Sequence, residues 1–553
     1  IKKLSNSFYF FCSFVLKLKL MKKKIVLFFV FWNVFVFGQI QDAWVYFSDK
    51  PSAQYYMENP LQMLSQRALD RRSNQNITID ISDVPIHQPY VDIIAGLGTI
   101  QVLAKSKWMN AIHVRATQEN ISDLLDFEFV TNIDFANKSL NNQAKPNKPF
   151  SYKQKHTESY TYGTSANQIE IHNGHLLHQA GFTGNGKIIA VIDNGFIGVD
   201  SALPFERLHT ENRILGGYDF VNRNDNFYVG GSHGTRVLSI IGAYQENELI
   251  GTAPNAQFYL FITEDNTSET PLEESLWIEA AEKADSLGVD IINTSLGYSV
   301  FDNPNYNYTY NDMDGATAFI SRGTNMAYSK GMICVNAAGN SGSGSWQYIT
   351  APADAWGAFT VGAVNDQGNY ASFSSIGPTF DGRIKPDVMA QGVANVNALP
   401  NGSINNGSGT SFASPIIAGL VACLWEAFPE FTNEELMQFI RESAHLYDNP
   451  TAQMGYGIPN FYQIYQDLKT NKPSKNQINL FPNPTSDFLY FYTNNTDETE
   501  ENQLKIFDIL GKIVIEKQIK NRASIDIQHL QNGLYFYWIS TNKQRRTGKI
   551  IKR

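Results

Sequence analysis

From about Tyr160 to Leu468, short β-branched runs alternate with longer apolar stretches of helical period; the runs are Ile188–Ile192, Val289–Ile292, Met332–Asn336 and Ala358–Val364. Few architectures accommodate that alternation. Strands buried on both faces and joined through helices pair in parallel, so the pattern predicts an α/β unit whose parallel sheet is covered by helices. The flanks read differently. Between Gln39 and about Ala136 the strand-like Ala43–Phe47, a helical Leu61–Arg72 and the run Ile112–Val114 predict a small α+β domain. After Ile478, segments such as Phe488–Tyr492 and Gly533–Trp538 predict an all-β sandwich. The connections, 141–159 and 469–477, are polar, and the first is rich in Asn, Lys and Pro and reads as a linker with a cleavage point. The expected units are therefore 39–140, 160–468 and 478–553, without an internal repeat.

A chain of 553 residues that is 43% hydrophobic and 18% charged can pack cores throughout, which excludes a largely disordered protein. The net charge of −9 argues against a nucleic-acid surface, which needs clustered Lys and Arg. With only Cys12, Cys334 and Cys423, no disulfide framework can supply the stability. Cys334 in an apolar strand and Cys423 in an apolar helix read as buried free thiols. Lys22-Lys23-Lys24 followed by the apolar Ile25–Phe37 and a small Gly38 has the form of a secretory signal at 21–38, too short to cross a bilayer. Met21 reads as the biological start, with 1–20 an upstream extension, and the protein as exported.

Four segments carry chemistry. Ala190-Val191-Ile192-Asp193-Asn194-Gly195 places a carboxylate at the end of a buried strand, where it can orient a histidine; alone, such an Asp is equally a cap or turn residue. Gly231-Ser232-His233-Gly234-Thr235 puts His233 near the start of a helix over Val237–Ile241, an imidazole able to accept and return a proton near neutrality. Gly407-Ser408-Gly409-Thr410-Ser411-Phe412-Ala413-Ser414-Pro415 joins a Gly-rich turn to a helix at Ile416–Trp425 and holds Ser411 where backbone N–H groups face developing negative charge. The competing Ser408 and Ser414 read as helix caps. Val335-Asn336-Ala337-Ala338-Gly339-Asn340 ends a strand with an amide that could donate to an oxyanion, although Gly-Asn is also an ordinary turn.

These motifs in the order Asp193, His233, Asn340, Ser411 resemble the subtilisin-like serine peptidases, and the resemblance extends over 160–468 through Gly251–Ala256, Thr294–Gly297 and Gly455–Gly457. It implies a secreted serine endopeptidase acting on proteins or peptides through an acyl-enzyme on Ser411, with Asp193 and His233 completing the catalytic set and Asn340 the oxyanion donor. It further implies substrate-binding walls at Ser295, Leu296 and Gly297 and, for the primary specificity pocket, at Ala337, Ala338 and Gly339. Asn194 stands where Thr or Ser is more usual, and Arg236 where many relatives carry a second His. These departures bear on specificity, since neither removes a proton-transfer group.

The region before Lys138 looks like a propeptide that would block the cleft until removed, making the product a zymogen. The tail resembles a type IX secretion sorting domain, carried by Leu480–Thr485, Lys505–Lys512 and Leu530–Tyr535; it implies passage through the periplasm and across an outer membrane by that machinery. Catalysis would need no cofactor. The resemblance allows structural calcium, and Asp219, Asp225, Asp312 and Asp314 lie in suitable Asn- and Gly-rich segments, without ligand spacing that assigns a site. The competing readings are an inactive adhesin or binding scaffold on the same fold and, more distantly, a peptide ligase or cyclase.

Overall fold

The computed structural model describes residues 39–141, 160–470, 478–481, 488–493, 502–520, 523–540 and 545–552. The expected extension 1–20 with Cys12, the leader 21–38 and most of both linkers lie outside the described residues.

Among the described residues, seven parallel strands form the central sheet. Their spatial order is Val388–Gln391, Ala358–Val364, Ile333–Ala337, Ile291–Thr294, Ile188–Asp193, Gln257–Ile262 and Ile214–Asp219. The period of two along each strand divides the core between the faces. Ile189, Val191, Val335 and Val361 pack with the helix Thr410–Ala427, whereas Ala190, Ile192, Ile292 and Cys334 pack with the helix Pro271–Leu287. Two strands run further than their apolar stretches, to Thr294 and Ala337, because buried Asn293, Thr294 and Asn336 continue the ladder. The helix Thr410–Ala427 is long and apolar enough to span a bilayer, but 94% of it is buried inside the fold, which makes it the core helix. Cys334 and Cys423 are free and buried, and burial raises both thiols above the ordinary range.

The N-terminal unit is a four-stranded antiparallel sheet in the order Gln101–Ser106, Ala111–Thr117, Ile40–Phe47, Val130–Phe135. The helix expected over Leu61–Arg72 is divided: a short 3-10 turn at Pro60–Gln62 stops before Ser65, whose hydroxyl accepts from Ala68 N and starts a separate helix, Gln66–Ser73. The sheet packs on the helices Pro271–Leu287 and Phe319–Ser329. There the Trp44 indole stacks on Phe319 at 4.2 Å and donates to Ser275 Oγ at 2.8 Å. Arg72, almost wholly buried, donates to Asp83 Oδ2 at 2.7 Å and to Asp285 Oδ2 at 2.6 Å, tying this unit to the central one. The helix Pro271–Leu287 is covered on most sides, so Glu273, Glu274, Ser275, Glu282 and Asp285 are buried while Lys283 stays exposed. At its end Gly288 has φ +84°, and a Cβ there would sit 2.9 Å from Ala68 N of the N-terminal unit. The glycine serves both the helix end and the contact.

The C-terminal residues form two antiparallel sheets, one of Ile478–Phe481, Phe488–Thr493 and Ser524–Asp526, the other of Ile513–Ile519, Asn502–Phe507, Gly533–Ser540 and Arg545–Lys552. Leu489 and Phe491 of the first sheet share one apolar cluster with Leu504, Ile506, Tyr537 and Ile539 of the second, which makes the pair a sandwich.

Candidate active site

At the C-terminal end of the sheet the strand Ile188–Asp193 delivers a buried carboxylate, and the helix His233–Gly242 begins with an imidazole beside it. Gly234 makes the approach possible: a Cβ there would lie 2.5 Å from Gly195 O and 2.9 Å from Asp193 Cβ. Asp193 Oδ1 accepts from His233 Nδ1 at 2.8 Å and from its own neighbour, Asn194 N, at 2.8 Å. Burial of the imidazole disfavours its charged form, but the Asp193 charge and hydrogen bond outweigh this and raise the His233 pKa above the ordinary histidine value. Nδ1 is thereby fixed as the bonded nitrogen and Nε2 is left for other work.

Ser411 is the second residue of the helix Thr410–Ala427. The expected helix at Ile416–Trp425 thus starts six residues earlier, with Pro415 inside it, and the physical reason is local. Proline has no N–H, so the Ser411 carbonyl loses its helical partner. The Ser295 hydroxyl takes that place, donating to Ser411 O at 2.9 Å. Ser411 Oγ in turn donates to Ser295 O at 3.0 Å, so serine and cleft wall exchange bonds. Ser414 and Ser408 are not the caps they were expected to be. Ser414 is inside the helix, fully buried, with its Oγ 3.0 Å from Ser295 Oγ; Ser408 Oγ accepts from Ala394 N at 3.1 Å, and the N-cap position belongs to Gly409.

The amide of Asn340 is oriented by acceptance. Its Oδ1 takes the N–H of Thr410 at 2.8 Å and its hydroxyl at 3.1 Å, which turns Nδ2 outward. A Cβ built on Gly409 would lie 3.7 Å from Asn340 Nδ2 and 3.8 Å from Ser411 N. The Asn340 amide, with Oδ1 at 3.6 Å as well as Nδ2, and Ser411 N thus surround one spot beside Gly409, whose φ of +153° disfavours a side chain there. The walls differ. The main chain at Ala338 and Gly339 is already engaged, with Thr350, Val361 and Ser375, whereas among the described residues no hydrogen bond uses the main chain of Leu296 or Gly297. That free edge can pair with an added strand.

Beside His233 a cavity of about 400 Å³ is bounded by Asp193, Leu296, Glu264, Glu269, Glu273 and Asp302, with no Lys or Arg among its described lining residues. Glu264 accepts from the Tyr298 hydroxyl at 2.5 Å, and Glu273 accepts from Asp265 N and Thr270 N. Burial, reinforced at Glu264 by Glu269 and Asp193 and at Glu273 by Glu264 and Glu269, holds both well above the ordinary carboxylate range. Sequence reading passed these residues over. Their signal was the acidic density of Glu264, Asp265, Glu269, Glu273 and Glu274 directly after a strand adjacent to that of Asp193. Among the described residues Arg236 makes no ion pair: it donates to Asn397 Oδ1 at 2.8 Å and lies 4.8 Å over the Phe412 ring, whose centroid is 5.7 Å from that of His233. Of the carboxylates considered for calcium, Asp219, Asp312 and Asp314 already accept from protein donors, and among the described residues no three His, Cys, Asp or Glu side chains converge as metal ligands.

Such a site, a carboxylate-oriented imidazole and a helix-start serine at the C-terminal edge of a parallel sheet, belongs to the class of serine hydrolases. The subtilase family model matches residues 184–458, the Bacteroidota peptidase S8 propeptide domain residues 42–153 and the secretion system C-terminal sorting domain residues 479–553. Subtilisin NAT of Bacillus subtilis subsp. natto is 34% identical over 308 residues, which is 55% of this chain and 71% of that protein. Subtilisin of Bacillus pumilus is 34% identical over 306 residues, 55% of this chain and 98% of that one. The chain belongs to the subtilase family: it is a secreted serine endopeptidase made as a zymogen, with a type IX sorting domain behind it. Catalysis in this family needs no cofactor, and the partners in general terms are protein substrates, the propeptide and the secretion machinery.

Proposed function

We propose that Ser411 is the nucleophile, His233 its base, Asp193 the group that orients the base, and Asn340 with Ser411 N the oxyanion donors. The observation that carries this reading is the bond from His233 Nδ1 to Asp193 Oδ1 at 2.8 Å, beside a helix start where the Asn340 amide and Ser411 N surround one spot beside Gly409. A substrate strand pairs along Leu296 and Gly297, and its scissile carbonyl oxygen enters that spot. Ser411 Oγ leaves the Ser295 carbonyl, at a cost of about 1 kcal/mol, and attacks the carbonyl carbon while His233 Nε2 takes its proton. The tetrahedral oxyanion is held by the two N–H donors, and Asp193 stabilises the imidazolium. Collapse breaks the C–N bond, His233 returns the proton to the leaving amine, and water repeats the sequence on the acyl-enzyme.

The side chain before the cleaved bond sits against Ala337, Ala338 and Gly339. The domains span 39–140, 160–468 and 478–553, the first inhibiting the second until the connection between them is cut. Calcium bound on surface loops would act on stability and not on the reacting atoms. The test is covalent labelling by a serine-directed phosphonate together with Ser411→Ala, which is expected to lose peptidase activity by several orders of magnitude. Full activity in Ser411→Ala, or a label on another serine, would sink the assignment.

A further inference from the structure

Apart from Asp193, which holds His233, the cavity beside His233 is lined by carboxylates that no cation among the described residues answers. Asp193, Glu264, Glu269, Glu273 and Asp302 all border it, and among the described residues none of Glu264, Glu269, Glu273 and Asp302 forms an ion pair. One buried oxygen there has no hydrogen-bond partner: Oδ2 of Asp193, a residue only 2% exposed. Leaving buried carboxylate oxygens unanswered costs free energy that a bound cation would recover. The side chains do not converge as metal ligands, so the shape suits an extended organic cation rather than an ion.

The cavity's place says where that cation comes from. Leu296 borders it and also belongs to the unpaired edge along which a substrate strand is added, so alternate side chains of that strand hang toward the acidic wall. The chain itself carries a peptide of matching chemistry. Its segment 141–155, at the end of the region the propeptide model matches and ahead of the peptidase match, holds Lys145, Lys148, Lys153 and Lys155 and no acidic residue.

We infer that the cavity beside His233 is a specificity subsite for a lysine or arginine side chain of the substrate strand, and that the lysine-rich segment 141–155 is a substrate of the same kind. This rests on the proposed catalytic roles of Asp193, His233 and Ser411. Glu264 and Glu269 are its specificity-determining residues, with Asp302 at the exposed rim. A protonated carboxyl group in the empty cleft gives up its proton when the substrate's cation arrives.

The experiment uses enzyme matured from the full chain and internally quenched peptides in which one lysine, alanine or glutamate is walked through the positions around the cleaved bond. Lysine at one or two positions is expected to raise kcat/KM over alanine on the order of tenfold, with glutamate below alanine. Glu264→Gln combined with Glu269→Gln should erase the lysine advantage, bringing kcat/KM for the lysine peptide down to that of the all-alanine peptide. Asp302→Asn, at an exposed side chain, is expected to weaken the advantage and gives the readout if the pair fails to mature. Absence of lysine preference in the wild type, or a preference that survives these substitutions, overturns the inference while phosphonate labelling of Ser411 preserves the peptidase reading. Loss of both labelling and cleavage overturns both. Changing Lys145, Lys148, Lys153 and Lys155→Gln together should slow release of the propeptide; unchanged release overturns the extension to that segment.

Discussion

The helix Pro271–Leu287 carries buried carboxylates at both ends, and the ends behave oppositely. At its C-terminal end Asp285 meets Arg71 and Arg72 of the propeptide, and despite burial these guanidinium groups hold its carboxyl well below the ordinary range. At the N-terminal end Glu273 closes a capping box with Thr270 and faces the cleft, where burial and the nearby Glu264 push it up. The helix dipole favours the first turn for an acid and disfavours the last, so the field of the helix alone would predict the reverse. Partners decide. Desolvation is paid back only where a cation sits opposite, and in this zymogen one end already has its cations while the other awaits them.

The largest effect comes from breaking the paired end. Arg72→Ala leaves Asp83 and Asp285 buried without their shared cation, and in a Ser411→Ala background, where processing cannot intervene, it should destabilise the zymogen by about 3–5 kcal/mol. Thermal unfolding of the purified protein measures this; a shift too small to detect would place the arginine in solvent. Next comes pH. Asp285 has a depressed pKa, so its contribution is present above the ordinary carboxylate value and is lost only as pH falls through its lowered value. Glu264 and Glu273 have raised pKa values, so the stability they allow is present below the ordinary carboxylate value and declines as pH rises through their raised ones, past neutrality. In the same inactive background, a melting temperature followed from pH 5 to pH 9 should decline, and Glu273→Gln should flatten the decline; a decline unchanged by that substitution would remove the unpaired end from the account. A smaller effect concerns the base itself. Because His233 is raised by Asp193, the acid limb of kcat/KM should lie above the ordinary histidine value of about 6.5, and a limb below it would mean burial outweighs the carboxylate.

Much of this molecule is legible in its sequence, and the residues that are not fall into two kinds. The parallel sheet, the strand-end Asp193, the helix-start His233 and the Gly-rich turn before Ser411 follow from periodicity and local chemistry, which neighbouring residues in the chain determine. The division of the Leu61–Arg72 stretch follows from a local cap at Ser65 that the apolar pattern outweighed. Ser414 misled because a serine near a helix start is usually a cap, whereas this helix begins at Thr410 and runs through Pro415. The acidic cavity was illegible for a different reason: Leu296 and Asp302 are brought to Glu264 only by the fold, and an unanswered charge is a statement about what is missing in space. Likewise Arg72 with Asp285 spans 213 positions, a pairing no local pattern records.

Pro415 has a mechanical consequence. A helix normally holds each of its carbonyls by its own next turn, and at Ser411 this one cannot. The carbonyl is held instead by Ser295, whose own carbonyl holds the Ser411 hydroxyl, so the two segments are stitched together by reciprocal bonds. On the proposed roles, a peptide that settles on the edge at Leu296 and Gly297 is gauged against the Ser411 hydroxyl directly. A displacement of the core helix is thereby carried to the strand end at Ser295 through the same two bonds.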